Sequence, residues 1–321
     1  MKNTDFRTLG LILVVFLFIG ACQVQQTNTN QVTNTNGTAN AKWDAYVDQF
    51  LNDYFAANPT FAVGQGKHEY DGKFPDWSAD GLNKEIARLK SEREKAAAFK
   101  DDQLDERQRF ERDYLIAQID KDLFWRETAD QPHTNPYYYA DAVDPDVYVS
   151  RPYAPLETRI KSYTTYAKNV PAALQQIKGS LKQPMAKNLI KIARQTIGGL
   201  ADFYAKDVPT VFAAVKDEQS QKDFKEANEG AIKAVKDFDA WLSEQEKTGT
   251  DNFALGADKF KAMLKQTEGV DIDLAKLEDV AKTDLQRNLD ALKAEAVAMG
   301  KACKACHDDY RSKDYEKENE E

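Results

Sequence analysis

Residues 274–300 read LAKLEDVAKTDLQRNLDALKAEAVAMG. Leu274, Leu277, Ala281, Leu285, Leu289, Leu292, Ala296 and Met299 recur three or four positions apart, which places them on one face of a single long helix as an unbroken apolar stripe ending at Gly300. The same spacing repeats upstream. Trp43, Tyr46, Val47, Phe50, Leu51 and Tyr54 outline a helix that stops at Asn58-Pro59. Asp80 opens a charged helix towards Lys100, and Asp105 opens another with Phe110, Tyr114, Ala117 and Phe124 on one face. Pro155 sits at a first-turn position ahead of the stripe Leu156, Ile160, Tyr163, Ala167, Val170 and Leu174, with Pro171 expected to bend that helix. Further helices fit 185–204, 221–247 and 256–266. Period-2 runs and hairpin signals are missing, and no repeat is evident, so the sequence predicts an all-α, multi-helix, bundle-like body.

One stretch breaks the pattern. Between Gln131 and Pro155 five prolines alternate with Tyr137, Tyr138, Tyr139, Tyr148 and Tyr153. A loop this aromatic is expected to pack onto the helices as a crossover fixed by its tyrosines, with a binding surface as the weaker alternative. The chain has 321 residues and a net charge of −9. An acidic chain without a Lys/Arg block is a poor nucleic-acid ligand, so no nucleic-acid partner is expected.

The first 21 residues read as a targeting segment. Lys2 and Arg7 precede the apolar run Leu9–Ile19, which is short for a membrane span, and Ile19-Gly20-Ala21-Cys22 resembles a bacterial lipobox. Cleavage before Cys22 would leave that thiol to carry lipid and anchor the chain to a membrane. An ordinary signal peptide with an incidental cysteine is the alternative. Residues 22–41 are rich in Asn, Thr and Gln and predict a disordered tether. Gln23 after the lipidated cysteine points to the outer membrane of a Gram-negative cell, facing the periplasm. Residues 313–321 alternate charges and predict a solvated tail.

Of the three cysteines, Cys303 and Cys306 remain as a close pair in Cys303-Lys304-Ala305-Cys306-His307. C-x-x-C-H is the pattern of covalent haem c attachment. On a helix Cys303 and Cys306 share a face, so two thiols can add to the two haem vinyl groups, and His307 falls where an imidazole can ligate iron. Arg311, four residues on, could pair with a propionate. A redox dithiol, a disulfide and half a zinc site compete with this reading. The first lacks a βαβ context and the last lacks partners, since only His68 and His133 remain.

Residues 300–311, GKACKACHDDYR, look like the C-terminal helix end of cytochrome c prime, the four-helix-bundle cytochromes. That resemblance covers a dozen residues. It implies Cys303 and Cys306 as thioether sites, His307 as the only strong axial ligand and Arg311 as a charged neighbour. The body is similar to something else. His68-Glu69-Tyr70-Asp71-Gly72, Asn135-Pro136-Tyr137-Tyr138-Tyr139 and the run from Val147 to Arg159 resemble the domain of unknown function family numbered 885, as do segments from Leu255 to Leu289. The resemblance spans 43–298, the N-terminal half of a longer member. Members look like helical zinc peptidases with a His-Glu-x-x-x-Pro-Gly-His signature in the other half. That signature is absent here, and Gly72 stands four positions after His68. His68 therefore reads as a packing or hydrogen-bonding residue, and peptidase chemistry is not expected.

These readings divide the chain into a lipoprotein signal (1–21), a tether (22–41), a helical domain (42–299), a haem attachment segment (300–312) and a charged tail. The expected function is an envelope lipoprotein binding one haem c for electron transfer or small-gas binding, with a redox protein as a possible partner. The alternative is a non-catalytic, peptidase-like binding module or partner subunit. His68, His133, Met185 and Met263 are candidate sixth ligands, and an open sixth position is favoured by analogy with cytochrome c prime.

Overall fold

The computed structural model describes residues 40–310, and every described element is helical. The helices are α1 (Ala41–Ala57), α2 (Pro59–Gly64), α3 (Ala79–Ala98), α4 (Glu106–Leu123), α5 (Gln131–Thr134), α6 (Asp146–Ser150), α7 (Leu156–Ser180), α8 (Lys187–Phe212), α9 (Glu218–Thr248), α10 (Ala257–Glu268) and α11 (Leu274–Tyr310). A π-helical turn, Phe124–Thr128, continues α4. The signal segment, Cys22 and nearly all of the tether lie outside the described residues, as do Arg311 and the charged tail.

Local chemistry sets the helix starts. Asn40 Oδ1 accepts from Lys42 N, Ser78 Oγ from Gly81 N and an Asp217 carboxylate oxygen from Ser220 N. Each satisfies one of the amides that a helix start leaves unpaired. Asp105 and Gln108 form a reciprocal capping box at α4, with Gln108 N donating to Asp105 Oδ1 at 2.8 Å.

The main core lies among α7, α8 and α9. Ile160, Tyr163, Ala167, Val170 and Ile177 of α7 are sealed from solvent. They meet Ile190, Ile197, Tyr204 and Phe212 of α8, together with Ala231, Val235 and Leu242 of α9. The polar side chains inside this core are paired, as burial requires. The Tyr163 hydroxyl donates to Asn228 Oδ1, Asn228 Nδ2 donates to the Tyr204 carbonyl at 2.8 Å, and the Tyr204 hydroxyl donates to the Val143 carbonyl at 2.7 Å. Burial pushes the Tyr163 and Tyr204 phenols far above their ordinary pKa. An isolated parallel bridge between Ala186 and Thr250 ties the start of α8 to the end of α9. Two smaller clusters, Trp43 with Ala96 and Leu104, and Phe50 with Leu89 and Ile119, join α1, α3 and α4.

Three expectations need correction. The 131–155 stretch is not irregular: α5, a 3-10 turn over Pro136–Tyr139, and α6 occupy most of it. Pro132 and Pro136 sit at first-turn positions, where a missing N–H costs nothing, and Pro145 and Pro155 are the N-caps of α6 and α7. Tyr139 and Tyr148 are buried, so the segment is a packed crossover. Second, Phe110 and Tyr114 of α4 are 70% and 57% exposed, while Gln108 and Ile119 are buried. The polar Gln108 turns inward because its side chain bonds the Asn40 backbone and Asp44. Third, the apolar stripe does not end at Gly300, because the face it occupies continues through Cys303 and Cys306. α11 passes through Gly300 to Tyr310, carried by Ala and Lys neighbours of high helix propensity.

α10 packs on α4 and the π-turn. From Glu278 to Asp309 every side chain of α11 is exposed, including Leu285 (59%), Leu289 (41%), Leu292 (66%) and Met299 (66%). Its apolar stripe is present as the sequence reads it, but no described element covers it.

Candidate functional site

From Leu285 onward the α11 stripe keeps a strict alternation of four and three: Leu285, Leu289, Leu292, Ala296, Met299, Cys303, Cys306. The two cysteines are therefore the last members of an apolar seam. They lie one turn apart on the same face, and His307 follows Cys303 by four positions, so it joins that face. Both cysteines are free thiols and exposed. Lys304 and Asp308 close an ion pair at 2.6 Å, a contact between positions four apart that ties the polar side of the last turns together. Two exposed thiols held one turn apart on a helix could each add to one vinyl group of a planar macrocycle. His307 can meet the iron of that macrocycle from the same helix face.

Among the described residues no three His, Cys, Asp or Glu side chains converge on a possible metal position. His68 Nδ1 lies 3.0 Å from Asp71 Oδ1, and its ring stacks on Tyr153 at 3.5 Å between centroids and 9° between planes. The Tyr153 hydroxyl also reaches Asp71, at 3.3 Å, and burial pushes that phenol up to about 12. Arg159 donates to the Tyr148 and Val149 carbonyls just before this turn. The His68 motif thus fastens the 68–72 turn to the 148–159 segment, as its packing role predicts. Of the other candidate iron ligands, His133 Nδ1 is 2.5 Å from Asp130 Oδ1 and Met185 is buried. Met263 is half-buried on α10.

The comparisons with known proteins bear on the body. The family model described as bacterial protein of unknown function (DUF885) matches residues 59–320. This chain belongs to the DUF885 family. The match runs beyond the 43–298 limits of the sequence resemblance and takes in Cys303, Cys306 and His307, so the cysteine pair lies within the DUF885 region. No curated protein sequence matches. Among solved structures, a candidate lipoprotein of unknown function from Shewanella oneidensis shares the DUF885 chain's fold at a TM-score of 0.69 and 20% identity. The alignment covers 77% of this chain and 46% of that one, so the chain spans under half the length of the structure it matches.

Proposed function

We propose that this DUF885 chain is an envelope lipoprotein that carries one haem c, attached through Cys303 and Cys306 with His307 as the axial ligand. The observation that carries the reading is the placement of two free, exposed thiols and an imidazole on one face of one helix. When bound, the haem supplies a reducible iron for electron transfer or for holding a small gas. The chain's own residues do the rest. α11 sets the thiol spacing, and His307 offers a neutral nitrogen to the metal. Arg311, four positions on in the sequence, would add a cation suited to a propionate.

Two features favour an open sixth position. His68 and His133 are held by Asp71 and Asp130, and Met185 is buried in the main core. Met299 shares the seam of the attaching cysteines, so it is badly placed for the opposite face. The lipobox ending in Cys22, and the likeness to a candidate lipoprotein, support lipid anchoring in the cell envelope. Gln23 supports the outer membrane, facing the periplasm, in a Gram-negative cell.

The test is the pigment itself. Protein made in a cell that matures c-type cytochromes should stain for haem after denaturing electrophoresis, and Cys303→Ser with Cys306→Ser should abolish the band. Its reduced spectrum should shift on adding carbon monoxide, as an open position requires. A low-spin spectrum with a methionine–iron band would remove the five-coordinate reading while leaving attachment intact.

A further inference from the structure

A second site lies in the body, independent of the cysteine pair. Between the start of α3, the strap 74–77 and the π-turn after α4 lies a cleft of about 420 Å3. That volume is in the range of small-molecule sites. Its apolar wall is Phe74, Trp77 and Leu82, with Tyr138 at one side.

The charged wall is unbalanced. Glu85 spends both carboxylate oxygens on Arg88, at 2.7 and 2.8 Å. Asp76 accepts from the Ser78 backbone at 3.0 Å, and Lys84 is paired with Asp80 at 2.6 Å. Two donors are left over. Arg88 Nη1 is buried without a hydrogen-bond partner. Arg126, in the π-turn, makes no hydrogen bond or ion pair among the described residues, although it is half-buried. Asp122, one turn before Arg126, feels its charge but does not bond it. A buried guanidinium nitrogen with no acceptor is costly unless something supplies one. Where the carboxylates of the wall are engaged and guanidinium donors are not, the missing group is an anion. Guanidinium groups favour planar carboxylates, which they hold through two parallel bonds.

We propose that this cleft binds a small organic carboxylate whose apolar body rests on Phe74, Trp77 and Leu82 and whose charge meets Arg126, with the Glu85–Arg88 pair as the fixed wall beside it.

The full chain is titrated with N-acetylphenylalanine, its uncharged amide, acetate and inorganic phosphate, by calorimetry and by the fluorescence of Trp77. The acid binds saturably. The amide binds about tenfold to hundredfold more weakly, the loss expected when a charge-assisted bond is removed. Acetate and phosphate bind more weakly than the acid, because neither brings an apolar body. Arg126→Gln weakens the acid by a similar factor and Arg126→Lys by less. Asp122→Asn tightens it by removing a competing negative charge. Thermal melts establish that each variant is folded, and the acid-to-amide ratio on the unaltered chain needs no variant at all. Binding is unchanged by Cys303→Ser with Cys306→Ser, so this test stands apart from the haem. Equal affinity for acid and amide, no loss in folded Arg126→Gln, or phosphate binding as tightly as the acid would each overturn the proposal, as would failure to saturate.

Discussion

α7 and α11 carry the same kind of apolar stripe and meet opposite fates. Ile160, Tyr163, Ala167 and Val170 of α7 are fully buried, whereas Leu285, Leu289, Leu292 and Met299 of α11 are 41–66% exposed. Helical periodicity states which face of a helix is apolar. It does not state what lies against that face. α7 has α9 beside it, which contributes Ala231 and Val235 to the same core, and α8 packs on α9. α11 has no such neighbour among the described residues, so its helix rests on propensity and on pairs such as Lys282 with Glu278 and Lys304 with Asp308. Pairs of that kind contribute about 0.2–0.5 kcal/mol each. The body is therefore held by burial and α11 by local terms.

The comparison can be broken by mutation. Tyr163→Ala should cost about 3–5 kcal/mol in urea unfolding, since a fully buried ring and its bond to Asn228 are both lost. Leu292→Ala should cost roughly 0.5 kcal/mol or less, as at a surface position. Comparable losses at the two positions would mean that α11 is covered as fully as α7. Asn228→Ala should cost about 1–3 kcal/mol because it strands the buried Tyr163 hydroxyl and removes the second bond to the Tyr204 carbonyl. Amide exchange sharpens the same contrast: α11 amides should exchange well before those of α7, which open only with the global transition.

The smallest effect concerns pH. Burial, offset in part by Arg126, leaves the Asp122 carboxyl with a raised pKa. Its folded value lies above its unfolded one, so ionisation opposes folding at neutral pH, and the penalty fades as pH falls through the folded and then the unfolded value. Asp122→Asn should therefore raise stability at pH 7 by on the order of 1 kcal/mol, and the gain should vanish below about pH 4. A gain that persists at low pH would point to something other than the charge.

Much of this was legible in the residues. The α7 stripe from Ile160 to Leu174 and the stop at Asn58-Pro59 appear where the spacing puts them. The Phe110 and Tyr114 face misled because hydrophobicity was read without the competing polar contact, and Gln108 won the inward position through three hydrogen bonds. The tyrosine-rich segment misled because Pro was read as a breaker when it was starting short turns. Cys303, Cys306 and His307 share a face of α11, as their spacing puts them. The cleft left no mark in the sequence: Glu85 and Arg88 are three apart and look like an ordinary surface pair, and only the fold brings Arg126 and Trp77 to the same cavity.

The most direct test of the account is the intact mass of the mature chain, measured under denaturing conditions after expression with the cytochrome c maturation machinery. The mass should exceed that of the lipid-modified polypeptide by one haem, and the increment should disappear when Cys303 and Cys306 are both serine. A mass equal to polypeptide plus lipid, with both thiols still titratable, would contradict it.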